Sequence, residues 1–190
     1  MDNNKYSEIL LQASKLFAKK GYTASSMREI AANTGITKAT IYHYFKNKEE
    51  ILFEIMNSAM DKAFVSIEKI KSKNITILEK FTEIINFYSK YYIGNQDNLI
   101  LLVNDIQFLN SDYKKILIDK EKKYVDLIYD ILKEMKSEGK LKDIPLPVVS
   151  FAFFGMVHYT INWFKDNKGI TVEQLANYFT EIILKGVTNE

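Results

Sequence analysis

The sequence predicts an all-α protein of about nine helices, with a small basic head ahead of a larger helical body. Three observations carry that prediction. Apolar residues recur at three- and four-residue spacing through most of the chain, and no run alternates as a half-buried strand would. Only two prolines and seven glycines interrupt 190 residues, and hydrophobic side chains make up 47%, enough for a sizeable core and too much for disorder. Ser, Thr or Asn precedes several of the apolar runs, where a helix start needs a side-chain acceptor.

The elements follow in order. Tyr6, Ile9, Leu10, Ala13, Leu16 and Phe17 form the stripe of a first helix, which ends at Lys19-Lys20-Gly21 with basic residues at its negative end. Ser26-Met27-Arg28-Glu29 reads as a capping box opening a second helix, with Met27, Ile30, Ala31 and Thr34 inward and Gly35 as its stop. Thr37 caps a short third helix reaching about Tyr44. Asn47-Lys48-Glu49-Glu50 opens a long fourth, with Ile51, Leu52, Ile55, Met56, Ala59, Ala63, Phe64 and Ile67 in register. Beyond residue 72 the pattern predicts helices over 77–92, 98–109 and 112–138, a break at Gly139 and Pro145-Leu146-Pro147, and a helix over 148–164. A last helix starts from the box Thr171-Val172-Glu173-Gln174 and carries Val172, Leu175, Ala176, Phe179, Ile182, Ile183, Gly186 and Val187.

Charge divides the chain. Residues 1–50 hold eight Lys/Arg against five Asp/Glu, and the rest holds 18 against 19, within a net charge of +2. A basic head on a near-neutral body fits nucleic-acid binding. Cysteine is absent and His43 and His158 lie far apart, so no disulfide framework, metal site or cofactor is expected. No paired His and carboxylate, Ser–His pair or Gly-rich phosphate loop points to catalysis, so an enzyme is not expected and no catalytic residue is named. No run approaches the ~18 apolar residues of a membrane span. The start Met1-Asp2-Asn3-Asn4 lacks the basic and apolar regions of a signal peptide. A cytoplasmic protein is expected.

Residues 27–46 form the constellation that points to function. Ala31 lets two helices cross closely, Gly35 follows four residues later where a turn favours positive φ, and Ile41 comes six after that to plug the crossing. With Ser26 and Thr37 placing both helix starts, this is the packing pattern of a helix-turn-helix. Helical spacing sends Ile41, Tyr44 and Phe45 inward. Ala39, Tyr42, His43 and Lys46 take the other face, with Lys38 at its N-terminal end.

Residues 30–52 resemble the signature of the TetR family of transcriptional regulators, through Ile30-Ala31, Gly35, Tyr42, Phe45 and Lys48-Glu49. The resemblance implies an N-terminal three-helix DNA-binding domain over 1–47 and a helical effector-binding and dimerisation domain over 48–190. It implies a homodimer reading palindromic double-stranded DNA. Arg28 is read as reaching a base edge or phosphate, and Lys38 and Thr40 as base readers, since Lys suits guanine acceptors and the Thr methyl suits a thymine methyl. Thr37 and Ala39 lie on the same docking segment, and Ala39 stands where the family often has Gly. Tyr42 and His43 are read as binding phosphate or packing on the sugar backbone, and Lys48, at a helix N-terminus, as a phosphate anchor. Lys46 is equally a phosphate contact or a solvated side chain.

The body supplies two further expectations. The 148–164 helix is apolar on nearly every face and carries Gly155 in its middle, which suits close approach of another helix. Phe151, Gly155, Tyr159, Phe179, Ile182 and Ile183 are therefore expected at a twofold four-helix interface, as the family dimerises. The stretch from Phe154-Gly155 through Trp163-Phe164, the polar turn 165–169 and Leu184-Lys185-Gly186-Val187 is similar to a branch of the family that senses fatty-acyl or steroid CoA thioesters. Phe87, Tyr91, Tyr92, Phe108, Tyr124, Phe154 and His158 are candidates for an effector pocket, although each also reads as plain core. The function expected is that of a repressor released by a small hydrophobic effector, such as a fatty-acyl-CoA. A helical adaptor whose effect needs no inducer is the alternative.

Overall fold

The computed structural model describes residues 3–165 and 169–189. Met1 and Asp2, and 166–168 of the polar turn, lie outside the described residues. The described residues are almost wholly helical: α1 (Asn3–Lys20), α2 (Met27–Asn33), α3 (Lys38–Tyr44), α4 (Lys48–Lys71), α5 (Ile77–Gly94), α6 (Gln96–Ile100), α7 (Ser111–Ser137), α8 (Leu146–His158) and α9 (Val172–Val187). Their sole strand-like feature is one antiparallel bridge between Leu141 and Thr188. The chain divides into two compact units, Met1–Asp61 with Asp97–Ile118, and Lys62–Gln96 with Asp119–Glu190. The helices α4 and α7 each run unbroken from one unit into the other.

In the first unit, α1 packs on α2 and α2 on α3, and Ile9, Ala13 and Phe17 of α1, Ile30, Ala31 and Ile41 of the short helices and Ile51, Leu52 and Met56 of α4 are all buried. Tyr6 stacks on Phe45 at 4.9 Å and donates a 3.0 Å hydrogen bond to Glu54 of α4. The segment after α6 departs from the single helix expected over 98–109. A π-helical turn (Leu101–Asp105) and a 3-10 turn (Ile106–Phe108) replace α-helix after Ile100. Apolar spacing does not reveal this change, because the inward side chains recur at similar intervals while the hydrogen-bond pattern shifts. This segment packs within the first unit: Asn98 accepts from the buried Ser14 hydroxyl at 2.7 Å, and Phe108 stacks on Tyr22 at 5.4 Å. Asn110 then starts α7, its Oδ1 accepting the backbone N–H of Asp112 and Tyr113 at 3.0 Å.

In the second unit, α5 lies along α9 and also contacts α8. Thr76 and Glu79 close a reciprocal capping box at the start of α5, as Thr171 and Gln174 do for α9. Phe81, Ile84, Ile85, Leu127, Ile131, Leu132, Phe153, Val157, Leu175 and Ala176 are buried. The helix expected over 148–164 begins two residues earlier, with Pro147 inside its first turn, where its missing N–H costs nothing. It ends at His158 and tightens into a 3-10 turn (Tyr159–Asn162).

Candidate nucleic-acid interface

The approach to α2 is set by the end of α1. Gly21 has φ 91° and turns the chain, and Lys20 forms an ion pair with Glu29 of α2. Hydrogen bonds from Lys20 and then Ser26 hold the Glu29 carboxyl below its ordinary pKa. Ser26 caps α2 from extended backbone, its Oγ accepting the Glu29 N–H at 3.3 Å.

The turn between α2 and α3 closes as a Schellman motif. Gly35 has φ 64°, its N–H donates to the Ala32 carbonyl at 3.2 Å, and the Ile36 N–H donates to the Ala31 carbonyl at 3.0 Å. Thr37 then caps α3, accepting the Thr40 N–H at 3.1 Å. On α3, Ile41 is fully buried and Phe45, just past its end, is 2% exposed, whereas Lys38, Ala39, Tyr42 and His43 are exposed. The Lys38 ammonium stands 5.8 Å from the Tyr42 ring centre. Thr40 is half-buried and its hydroxyl lies 2.8 Å from that of Thr37. Arg28 is exposed in the first turn of α2. Arg28, Thr37, Lys38, Ala39, Thr40, Tyr42 and His43 are thus gathered on two short helices and the turn between them.

Lys48 differs from its sequence reading. Its ammonium donates to the carbonyls of Tyr22 at 2.7 Å, Thr23 at 3.3 Å and Ser25 at 2.7 Å, and sits 4.3 Å from the centre of the Tyr22 ring. An ammonium has three donors, so these carbonyls occupy all of them. In this arrangement Lys48 latches the α1–α2 loop to the start of α4 and has no donor left for a phosphate.

Among the residues expected at the twofold interface, Phe151 (59% exposed), Tyr159 (66%) and Ile182 (57%) are open, and Gly155 is exposed between them on α8. Phe179 and Ile183 instead face into their own subunit and are buried, so they belong to its core. The open apolar face of α9 comprises Tyr178 and Ile182, one turn apart, and Val148 extends that of α8. Tyr178 and Val148 are additions that the sequence reading did not make.

The aromatic residues of the body converge on Tyr88. Its hydroxyl lies 2.9 Å from His158 Nε2, and its ring meets Tyr92 at 4.5 Å, Phe153 at 5.2 Å, Phe154 at 5.4 Å and Tyr124 at 6.2 Å. Burial raises the phenols of Tyr88, Tyr92 and Tyr124 and lowers the imidazole of His158, so all four are neutral near pH 7. Tyr92, Tyr124, Phe154 and His158 therefore belong to one cluster, and Phe87 and Tyr91 stack on each other at 5.7 Å. Phe108 belongs to the first unit, where it stacks on Tyr22. Among the described residues no group of three or more His, Cys, Asp or Glu could hold a metal ion, and no helix is long and apolar enough to cross a membrane.

Residues 9–55 match the bacterial regulatory proteins of the tetR family, and residues 74–187 match the tetracyclin repressor-like C-terminal domain. The chain belongs to the TetR family. It is thus a DNA-binding transcriptional regulator, with α2 and α3 as its helix-turn-helix. Full-length relatives of this TetR protein include the fatty acid metabolism regulator protein of Bacillus subtilis (strain 168), 25% identical, covering 98% of this chain and 97% of that one. Another is the transcriptional repressor KstR2 of Mycobacterium tuberculosis (strain ATCC 25618 / H37Rv), 24% identical over 99% of this chain and 95% of that one. The solved structure of the ketosteroid transcriptional regulator KstR2 of Mycobacterium tuberculosis shares the fold, with a TM-score of 0.91 over 100% of this chain and 98% of that one at 22% identity. That of AibR, in complex with isovaleryl coenzyme A and operator DNA, gives 0.82 at 28% identity over 94% of this chain and 97% of that one.

Proposed function

We propose that this TetR-family regulator is a homodimeric repressor that reads a palindromic operator with α3 of each subunit and releases it when a small hydrophobic effector, a fatty-acyl or steroid CoA thioester, occupies the helical body. The observation that carries the reading is the two-sidedness of α3: Ile41 and Phe45 are buried behind it, and Lys38, Ala39, Tyr42 and His43 are exposed in front. Lys38 and Thr40 contact base edges, Arg28 a base edge or phosphate, and Tyr42 and His43 the backbone. Residues 1–47 act as the reading domain and 48–190 as the effector and dimerisation domain.

The open face of Val148, Phe151 and Gly155 on α8, Tyr159 just past its end, and Tyr178 and Ile182 on α9 supports the dimer, since exposed apolar residues in such a cluster favour a partner surface. A symmetric dimer matches a palindrome. The neutral aromatic cluster around Tyr88 suits an apolar ligand with a polar atom. Effector binding works by favouring one of two conformations, and α4, continuous from Lys48 to Lys71, carries that preference to the reading helices.

The test is anisotropy titration of the full chain against a duplex selected from a random pool, with and without acyl-CoA thioesters of graded chain length. The expected result is a symmetric selected site and at least a ten-fold loss of affinity with one thioester, unlike with coenzyme A alone. Equal affinity with every thioester removes the inducer from the reading, and failure to select any duplex removes the DNA site.

A further inference from the structure

Between α2 and α3 lies a shallow hollow lined by Arg28, Ala31, Ala32, Ile36 and Lys38. Ala31 is buried and Ile36 half-buried, while Ala32 and the two cations are exposed. Three of the five lining side chains offer only methyl and methylene groups, and a positive charge stands on either side of them in sequence.

Three hydroxyls and two backbone N–H groups around the turn are engaged with one another or with α2. The Thr34 hydroxyl donates to the Ile30 carbonyl at 2.9 Å and the Ala31 carbonyl at 3.1 Å. The Thr37 and Thr40 hydroxyls lie 2.8 Å from each other, and the N–H groups of Gly35 and Ile36 close back on α2. No lining side chain can accept a hydrogen bond, so the hollow suits an apolar group with hydrogen-bond acceptors or negative charge beside it.

Lys38, which lines the hollow, is the first residue of α3, and recognition helices turn their N-terminal end toward base edges. In the major groove the base edges show one apolar group, the C5-methyl of thymine, and the guanine edge supplies acceptors suited to Arg and Lys. We propose that this hollow receives a thymine methyl in each operator half-site, which makes Ile36 and Ala32 specificity-determining residues alongside the flanking cations. The inference rests on the DNA-binding reading above and adds a base preference to it.

The test uses the full chain and a selected duplex in which each thymine of one half-site is replaced in turn by uracil, which lacks only the methyl. One position is expected at which uracil weakens binding about four-fold, the worth of one buried methyl group. That penalty is expected to fall below about two-fold in Ile36→Ala. Ala32→Ser, at an exposed position, is expected to diminish it equally, with an unchanged melting curve. Tolerance of uracil at every position overturns the assignment, as does a penalty that persists undiminished in both variants. A loss in Ile36→Ala that is equal on thymine and uracil duplexes assigns the hollow to the sugar backbone and likewise overturns it. Failure to select any duplex is a different result, which overturns the DNA-binding reading and this inference with it.

Discussion

Replacing Lys48 with methionine distinguishes a latch from a phosphate anchor. Lys48→Met keeps most of the apolar stem beside Tyr22 and removes three charged N–H donors from the carbonyls of Tyr22, Thr23 and Ser25. A hydrogen bond to a charged group is worth about 1.5–3 kcal/mol. The 3.3 Å contact with Thr23 is exposed and the other two are only partly buried, so water and salt recover much of that. A total of about 2 kcal/mol remains. For a chain of this size melting cooperatively, that is a fall in Tm of about 4–8 °C. Hydrogen exchange should quicken in the α1–α2 loop, because the latch is local. On the folded variant, the salt dependence of operator binding should keep its slope, since no phosphate contact has been removed. An unchanged Tm together with a slope reduced by about one ion would refute the latch and restore Lys48 as a phosphate contact.

Gly35→Ala should cost about 1–2 kcal/mol in a urea titration, because a Cβ at φ 64° is strained although nothing lies within 4 Å of it. Gly35→Asn should cost less, the reverse of what a steric clash would give. Ile182→Glu should leave the helical circular dichroism unchanged and yield monomers in sedimentation, whereas Ile183→Glu should unfold the chain, since Ile182 is 57% exposed and Ile183 5%. Burial lowers the imidazole of His158 from its ordinary 6.5. Between that lowered value and 6.5 the unfolded chain binds a proton that the folded chain does not, so this contribution to stability is full above about pH 6.5 and is lost as the pH falls below it. His158→Gln, which can still bond to Tyr88, should flatten that slope in melts taken across pH 5 to 8.

Local chemistry was legible in the sequence, and long-range pairing was not. The caps at Ser26, Thr37 and Thr171 and the acceptor Asn47, which takes the Glu50 N–H at 2.8 Å, all depend on residues three apart. The box of Thr76 and Glu79 has the same spacing and was equally readable. By contrast, Phe108 meets Tyr22 across 86 residues of chain, and no periodicity links the two. Tyr88 became the hub of the aromatic cluster through partners on α7 and α8, so its own helix did not single it out. The α9 helix misled for another reason. Its inward stripe of Leu175, Phe179 and Ile183 runs beside a second apolar pair, Tyr178 and Ile182, one residue behind, and a rotation of 100° decides which belongs to the core. Lys48 shows the limit for charge: position at a helix start suggested a phosphate, and only the fold of the preceding loop shows where its donors go.

The length of α3 ties the proposed reading face to the core behind it. Seven residues are too few to hold a helix in water unaided. Its Thr37 cap and the seating of Ile41 and Phe45 must therefore supply the stability, with Tyr6 stacked on Phe45 from α1. Substitutions behind the helix and in front of it then differ in kind. Loss of the Phe45 ring unseats α3 and lowers affinity for every duplex together with the melting temperature. Loss of the exposed Lys38 side chain is expected to leave the packing intact and to change which base is preferred. A screen that scores affinity on cognate and random DNA beside thermal stability separates the two classes, because only the second shifts the ratio of the two affinities without shifting Tm.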